Sequence, residues 1–238
     1  MNHPEYPTQA VSTGTVAVQG RTAPSTTKAL LSCGVLAGPL FVAVAAAQVV
    51  SREHFDLREH PISLLSNGSL GWVQISNFVV AGVLMVAFAA GLRATLTQGR
   101  GSRWVPRTVA LFGVGLVVSG VFVASPENGF PAGTPDGPPV TTTWRDIGHG
   151  IGVGLAFDAL IVACILMSLR LRKAHRPAAL ACGAVALTLL VLPMPVSQEG
   201  LGIRLAVSAL VAFGWTTAVA TLLLRSFSSD PNHERSLR

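Results

Sequence analysis

The residues with chemically useful side chains cluster in two short polar segments of an otherwise apolar chain. Residues 52–60, REHFDLREH, hold three acidic residues and two histidines, and residues 144–149, WRDIGH, add Asp146 and His149. Neither segment has the H-x-x-x-H or H-E-x-x-H spacing of a helical zinc site. A hydrolase triad from Ser63 or Ser66, with His149 and an outer aspartate, would need a G-x-S-x-G turn, which the sequence lacks. We therefore predict no catalytic residue, no metal and no cofactor, and we favour a protein that is not an enzyme.

A single carboxylate, Asp158, lies near the middle of the apolar run 148–169. A charged group is costly at the centre of a bilayer, so such a residue is a functional candidate by default. Two interpretations stay open. Asp158 is either the proton-linked carboxylate of a transporter or membrane-embedded enzyme, or a neutral acid bonded to a serine or threonine of a neighbouring helix. Nine residues separate it from His149, which places the two side chains on opposite sides of a helix. Asp146 shares the face of His149, and its carboxylate could orient the imidazole ring.

Two amides, Gln74 and Asn77, fall in the first turns of another apolar run, 71–92. Being three residues apart, they share one face of a helix. Polar groups at this depth avoid lipid and turn toward the interior of a helix bundle. They either hydrogen-bond a neighbouring helix, each contributing on the order of 1 kcal/mol, or line a wet cavity.

The elements that must position these residues are membrane-spanning helices. Half of the chain is hydrophobic, 12% is charged and the mean hydropathy is +0.55, values typical of membrane proteins. Six apolar runs are long enough to cross a hydrocarbon core about 30 Å thick. We predict an all-α, polytopic bundle of six transmembrane helices within residues 29–225. The spans are predicted at 29–50, 71–92, 106–124, 148–169, 178–195 and 203–224. The flanking segments, 1–28 and 226–238, are predicted to be cytoplasmic tails, the first of them disordered.

The distribution of charge predicts the orientation of the bundle. If the N-terminus is cytoplasmic, 13 of the 17 basic residues fall in inner segments, and seven of the eleven acidic residues fall in outer ones. This asymmetry predicts that both termini are cytoplasmic in a multi-pass protein of the cell membrane. It also explains the net charge of +6 without nucleic acid, so membrane lipids are the predicted partners. Oligomerisation stays open.

Three cysteines, Cys33, Cys164 and Cys182, lie within predicted spans, so we expect no disulfide. The small residues 43–47 resemble a signal-peptide cleavage site, but removal of the first span would conflict with the placement of the other basic loops. We therefore expect the first span to be retained.

Several short motifs resemble the bacterial and archaeal membrane proteins of the domain of unknown function 998. They are HPISLLSNG at residues 60–68, GWVQISNF at 71–78 and Gly82, followed by Gly120 leading to Pro126, GFP at 129–131, and His149. The resemblance covers residues 30–225 and implies a six-helix membrane protein with no established activity. One departure is Ser125, where the family commonly has an acidic residue, and this argues against a mechanism that needs a carboxylate there. Residues 61–63 with a downstream glycine are also faintly similar to the Frag1/DRAM/Sfk1 group, which implies lipid handling.

The leading functional prediction is a pocket for a lipid or small molecule near the extracytoplasmic face. Its candidate residues share one predicted depth in the membrane: His60, Ser63, Gln74, Asn77, Asp146, His149 and Arg204. We expect the loops 51–70 and 126–147 to line it. The alternative is the transporter or membrane enzyme that uses Asp158.

Overall fold

A computed structural model describes residues 25–194 and 199–228 of the chain. These residues form six α-helices and one short 3₁₀ helix, Ile62–Ser66. The α-helices, in chain order, are α1 Ser25–Ser51, α2 Gly71–Thr95, α3 Trp104–Val121, α4 Trp144–Leu171, α5 Arg176–Val191 and α6 Leu201–Ser228. The all-helical prediction is confirmed, and each predicted span falls on one helix. The predicted tails lie mostly outside the described residues.

Five of the six helices in the described ranges are long and apolar enough to cross a membrane, and α5 is the exception. With 16 residues it is about 24 Å long at 1.5 Å per residue. Prolines limit it at both ends, since Pro177 opens the first turn and Pro193 follows two residues after the last. The predicted span 178–195 therefore ran too far toward its C-terminal end. Helix α4 instead starts earlier than predicted, because Thr143 and Asp146 form a capping box ahead of it.

The helices follow one another around the bundle, so that each of α1 to α5 lies beside the next in the chain, and α6 returns to α1. The seam between α5 and α6 has the sparsest contacts of these neighbours. Close crossings depend on glycine. A Cβ on Gly82 would lie 2.5 Å from the Gly113 carbonyl oxygen, and one on Gly115 would lie 2.6 Å from the Gly152 carbonyl oxygen. Glycine thus lets α3 approach the backbones of α2 and α4 directly.

The alternating glycines at the start of α4 divide between two faces. Gly148 meets the Phe122 ring and Gly152 meets the backbone of α3, whereas nothing lies within 4 Å of a Cβ built on Gly150 or Gly154. Gly148 and Gly152 therefore allow close packing inside the bundle. Gly150 and Gly154 face outward.

The two ends of the bundle differ in charge and in loop length. We call one the loop end, because it carries the segments 52–70, 122–143, 192–194 and 199–200. The other, with the short connections 96–103 and 172–175, is the basic end. Among the described residues, seven of the eight acidic side chains belong to the loop end, and ten of the fourteen Lys and Arg residues belong to the basic end. The charge asymmetry predicted from the sequence is thus present in three dimensions.

Candidate ligand-binding site

His60 joins two segments of the loop end, 52–70 and 122–143. Its ring is 2% exposed. The Nδ1 atom accepts the Asp56 backbone N–H at 2.9 Å, and the Nε2 atom donates to the Asn128 carbonyl oxygen at 2.8 Å. The ring lies between Phe55 and Phe130, with centroid distances of 5.3 and 5.5 Å. Both ring nitrogens are therefore hydrogen-bonded to the protein backbone, and His60 links the two loops.

Arg52 and Asn67 add further contacts within and between these two loops, and neither is among the candidate residues predicted from the sequence. The Arg52 guanidinium donates to the Leu65 carbonyl at 3.2 Å and to the Asn67 carbonyl at 2.6 Å, and it lies over the Phe130 ring. The Asn67 amide donates to the Ala124 carbonyl at 3.1 Å. The sequence did contain one indication for Asn67, since this residue belongs to the HPISLLSNG motif at 60–68 that carries the family resemblance.

Asp146 holds the start of α4 to both ends of the preceding loop, 122–143. Its carboxylate accepts the Ser125 backbone N–H at 2.6 Å and hydroxyl at 2.9 Å. It also accepts the Thr143 backbone N–H at 2.7 Å and hydroxyl at 2.6 Å. The prediction that this carboxylate orients His149 is wrong, because these four donors belong to other residues. Ser125, the departure from the family pattern, is here a donor to an existing carboxylate.

His149 is buried where α4 crosses the end of α3. Its Nδ1 atom lies 2.9 Å from the carbonyl oxygens of Ser119 and Phe122, so Nδ1–H donates to the last turn of α3. Asp158 is exposed on the opposite side of α4, as the helical spacing predicted. The expectation that it bonds a neighbouring serine or threonine is not met within residues 25–194 and 199–228, where none of the described hydrogen bonds reaches its carboxyl group.

Three buried amides form a cluster between α1 and α2. Gln48 donates to the Gln74 Oε1 atom at 2.8 Å, and Asn77 donates to the same atom at 3.3 Å and to the Phe41 carbonyl at 3.0 Å. Gln74 is fully buried. The predicted shared face of Gln74 and Asn77 is confirmed, and so is their bonding to a neighbouring helix. Gln48 was missed because a single glutamine near the end of an apolar run gives no periodic signal.

The loop end also contains one carboxyl group with a shifted pKa outside the helices. Burial raises the pKa of Glu127, the nearby His60 lowers it, and Asp146 raises it further. Within the described ranges, no group of three or more His, Cys, Asp or Glu side chains is placed to hold a metal ion. All three cysteines are free thiols.

An apolar cavity lies in the bundle beneath residues 61–63. About 80 Å³ of space is lined by residues of five helices and by the loop above them. Phenylalanines give much of this lining: Phe41 stacks on Phe213 at 4.8 Å, and Phe78 and Phe112 contact them at 5.3 and 5.6 Å. The full lining is Phe41, Pro61, Ile62, Ser63, Phe78, Phe112, Leu116, Ser119, Val153, Ala156, Phe157, Leu205, Ala209, Ala212 and Phe213. Its surface is almost entirely apolar, so it suits a hydrocarbon-like ligand.

A second apolar space of about 210 Å³ adjoins the cavity as a groove between α1 and α6. Phe41, Ile62 and Ala209 line both spaces. These three residues therefore form the wall between the interior cavity and the groove.

The structure separates the residues predicted to form one site. Among the described residues, Ser63 alone of the seven candidates lines the cavity. His60 and Asp146 bind loop backbone at different points, His149 binds the end of α3, and Gln74 and Asn77 share the amide cluster. Arg204 lies in the first turn of α6, where its backbone N–H donates to the Gly200 carbonyl. The cavity residues themselves gave no signal in the sequence, because apolar side chains at helical spacing are the normal content of a bundle.

Comparison with known proteins identifies the family. Residues 35–222 match the profile of the family described as "Protein of unknown function (DUF998)". The chain belongs to this family. No curated protein and no solved structure matches it. The resemblance drawn from the motifs of the sequence is thereby confirmed, whereas the fainter similarity to the Frag1/DRAM/Sfk1 group stays a prediction.

The residues that carry the DUF998 resemblance lie mainly at the loop end of the bundle. His60 and Asn67 fasten loops, Ser63 lines the cavity, and His149 caps the end of α3. Gly71 is held against the Ser66 backbone where the 3₁₀ helix meets α2. In this DUF998 protein the motif residues therefore form and hold together the loops that cover the cavity.

Proposed function

We propose that the protein binds an apolar ligand, either a lipid acyl chain or a small molecule of similar character, in the cavity beneath residues 61–63. The observation that carries the proposal is the nearly all-apolar lining of this space. A ligand could occupy about 80 Å³ of the cavity and about 210 Å³ of the adjoining groove, so the cavity alone fits a short hydrocarbon segment and a longer chain would extend into the groove. The adjoining groove between α1 and α6 offers a path of the same apolar character from the membrane.

The polar residues of the loop end support binding rather than catalysis. Both ring nitrogens of His60 and both carboxylate oxygens of Asp146 bond other groups of the protein, and the Nδ1 atom of His149 bonds the end of α3. A general acid or base needs an atom within reach of a reacting group. The Ser63 hydroxyl, in the cavity lining, is the group that a polar end of the ligand would meet.

The proposal includes a six-span topology with both termini on the cytoplasmic side of the cell membrane. Its support is the excess of Lys and Arg at the basic end, which the positive-inside rule assigns to the cytoplasm. Helix α5 would cross together with its flanking residues, 172–175 at one end and 192–194 at the other. The cavity would then lie on the extracytoplasmic side.

The test is to fill the cavity and measure retained ligand. Ala209→Phe places a ring at the wall between cavity and groove, while Ala90→Phe places the same ring in an exposed apolar groove between α2 and α3. Each protein is purified in detergent, and bound lipids are quantified by mass spectrometry. We expect Ala209→Phe to lose several-fold of the bound apolar ligand and Ala90→Phe to match the unmodified protein. Equal retention in all three proteins would refute the proposal.

One observation favours the alternative, a proton-linked transporter or membrane enzyme. Asp158 is exposed at mid-helix on an apolar surface, and carboxylates at such a depth commonly mark proton pathways. In proteoliposomes with a pH-sensitive dye, the alternative requires a proton flux that Asp158→Asn abolishes. The cavity proposal requires that Asp158→Asn leave ligand retention unchanged, since Asp158 is not in the cavity lining.

A further inference from the structure

A cleft at the basic end gathers cationic side chains from two connections that are about 70 residues apart. It lies between the α2–α3 connection and the end of α4, and its lining includes Gly99, Arg100, Leu169, Arg170, Arg172 and Lys173. The space measures about 480 Å³, part of it open to the surface. Four of these six residues carry a positive charge. The cavity at the loop end is separate from this cleft.

The cleft is held in shape by one guanidinium. Arg170 donates through Nη1 to the Gln98 carbonyl at 2.7 Å and to the Arg100 carbonyl at 3.0 Å. Gly99 has a φ of +84°, and a Cβ there would lie 3.2 Å from the same nitrogen. The connection therefore wraps closely around Arg170, in a backbone conformation that favours glycine. The guanidinium is fixed before any ligand arrives, which reduces the entropy cost of binding.

The surroundings of the cleft favour an anion with a hydrocarbon part. Among the described residues of the basic end there is no acidic side chain to neutralise the four cations. The cleft also continues onto apolar surface. Leu169 lines it and is 41% exposed, and Ile165, one turn earlier on the same face of α4, is 46% exposed. A soluble anion would use the cations and leave this surface uncovered.

We propose that this cleft binds the phosphate-containing headgroup of an anionic membrane phospholipid, with an acyl chain along Ile165 and Leu169. Arginine and lysine donors at a cytoplasmic membrane surface are suited to phosphate and to anionic lipid heads. The inference does not depend on occupancy of the loop-end cavity.

The experiment compares two double variants with the same loss of charge. Arg172→Gln with Lys173→Gln removes two exposed cations from the cleft lining. Arg103→Gln with Arg107→Gln removes two exposed cations of the same end that are not in this lining. Detergent-purified proteins are titrated with phosphatidylglycerol or phosphatidylcholine, and bound lipid is counted by native mass spectrometry. We expect the cleft variant to lose roughly tenfold or more in affinity for phosphatidylglycerol, since each basic residue near a surface contributes substantially. The control pair should stay within about twofold of the unmodified protein in the same titration.

Three results would overturn the proposal. Equal losses in the two double variants would show a general charge effect, and equal binding of both lipids would show that the headgroup charge does not matter. Competition by inorganic phosphate at the concentration of the lipid would show a site for soluble anions. Lys173→Gln alone serves as the second variant if the double variant does not fold, and it should lose a smaller part of the phosphatidylglycerol affinity.

Discussion

Replacing Asp146 by alanine tests whether the polar residues of the loop end hold the fold together. Its carboxylate accepts four hydrogen bonds, two from Ser125 and two from Thr143. Hydrogen bonds to a charged group contribute about 1.5–3 kcal/mol each, and an N-cap contributes about 1 kcal/mol. Four bonds on one half-exposed carboxylate do not add fully. We therefore expect Asp146→Ala to lower the free energy of unfolding by about 2–4 kcal/mol.

Thermal unfolding in detergent, followed by circular dichroism, measures this effect. A change of about 1 kcal/mol moves the Tm of a chain of this size by roughly 2–4 °C, so Asp146→Ala should lower Tm by about 5–15 °C. Asp146→Asn keeps one carbonyl acceptor and should cause about half of this change. The control is Asp136→Ala, which alters an exposed aspartate of the same loop. The reasoning is refuted if Asp146→Ala unfolds within about 1 °C of this control.

Two further predictions concern packing and pH. Gly115→Ala would place a Cβ 2.6 Å from the backbone of α4, so it should destabilise the protein by about 1–3 kcal/mol, whereas Gly150→Ala, with open space around it, should not. A Tm for Gly115→Ala at or above that of the unmodified protein contradicts this packing. Burial raises the pKa of Glu127, with His60 opposing and Asp146 adding to the shift. The contribution of Glu127 to the free energy of unfolding is therefore full below its ordinary pKa of 4.5 and declines as pH rises through the raised pKa. Glu127→Gln should therefore gain stability relative to the unmodified protein between pH 4 and pH 8, by under about 1 kcal/mol for this half-buried group. A difference in Tm that is flat with pH would contradict the assignment.

The helical architecture could be predicted from the sequence because hydropathy acts over whole segments. A run of about 20 apolar residues has few alternatives to a helix in a membrane, so moderate errors at the ends do not change the answer. The close crossings were also predictable in kind, since Gly34 and Gly38, four residues apart in the first span, do meet α2 and α6. The exception, α5, depended on two prolines rather than on hydropathy.

The partners of the polar residues could not be predicted in the same way. Helical spacing placed Asp146 beside His149, but it could not show that Ser125 and Thr143 would saturate the carboxylate first. Spacing gives the face of a helix and leaves open which loop folds over it. Asp158 shows the same limit, because its side of α4 was predicted and its exposure was not.

The histidine, asparagine and aspartate side chains of the loop end have a structural role that does not require catalysis. Its long segment 122–143 is rich in proline and glycine and has no helix or strand to pair its backbone groups. Buried backbone groups need hydrogen-bond partners, all the more next to a membrane. His60 supplies a partner for the Asn128 carbonyl, Asn67 for the Ala124 carbonyl and Asp146 for two backbone N–H groups. The same loop end covers an apolar cavity. The polar side chains therefore hold in place the loops that cover the cavity, and the specificity for a ligand should follow from the shape of the cavity.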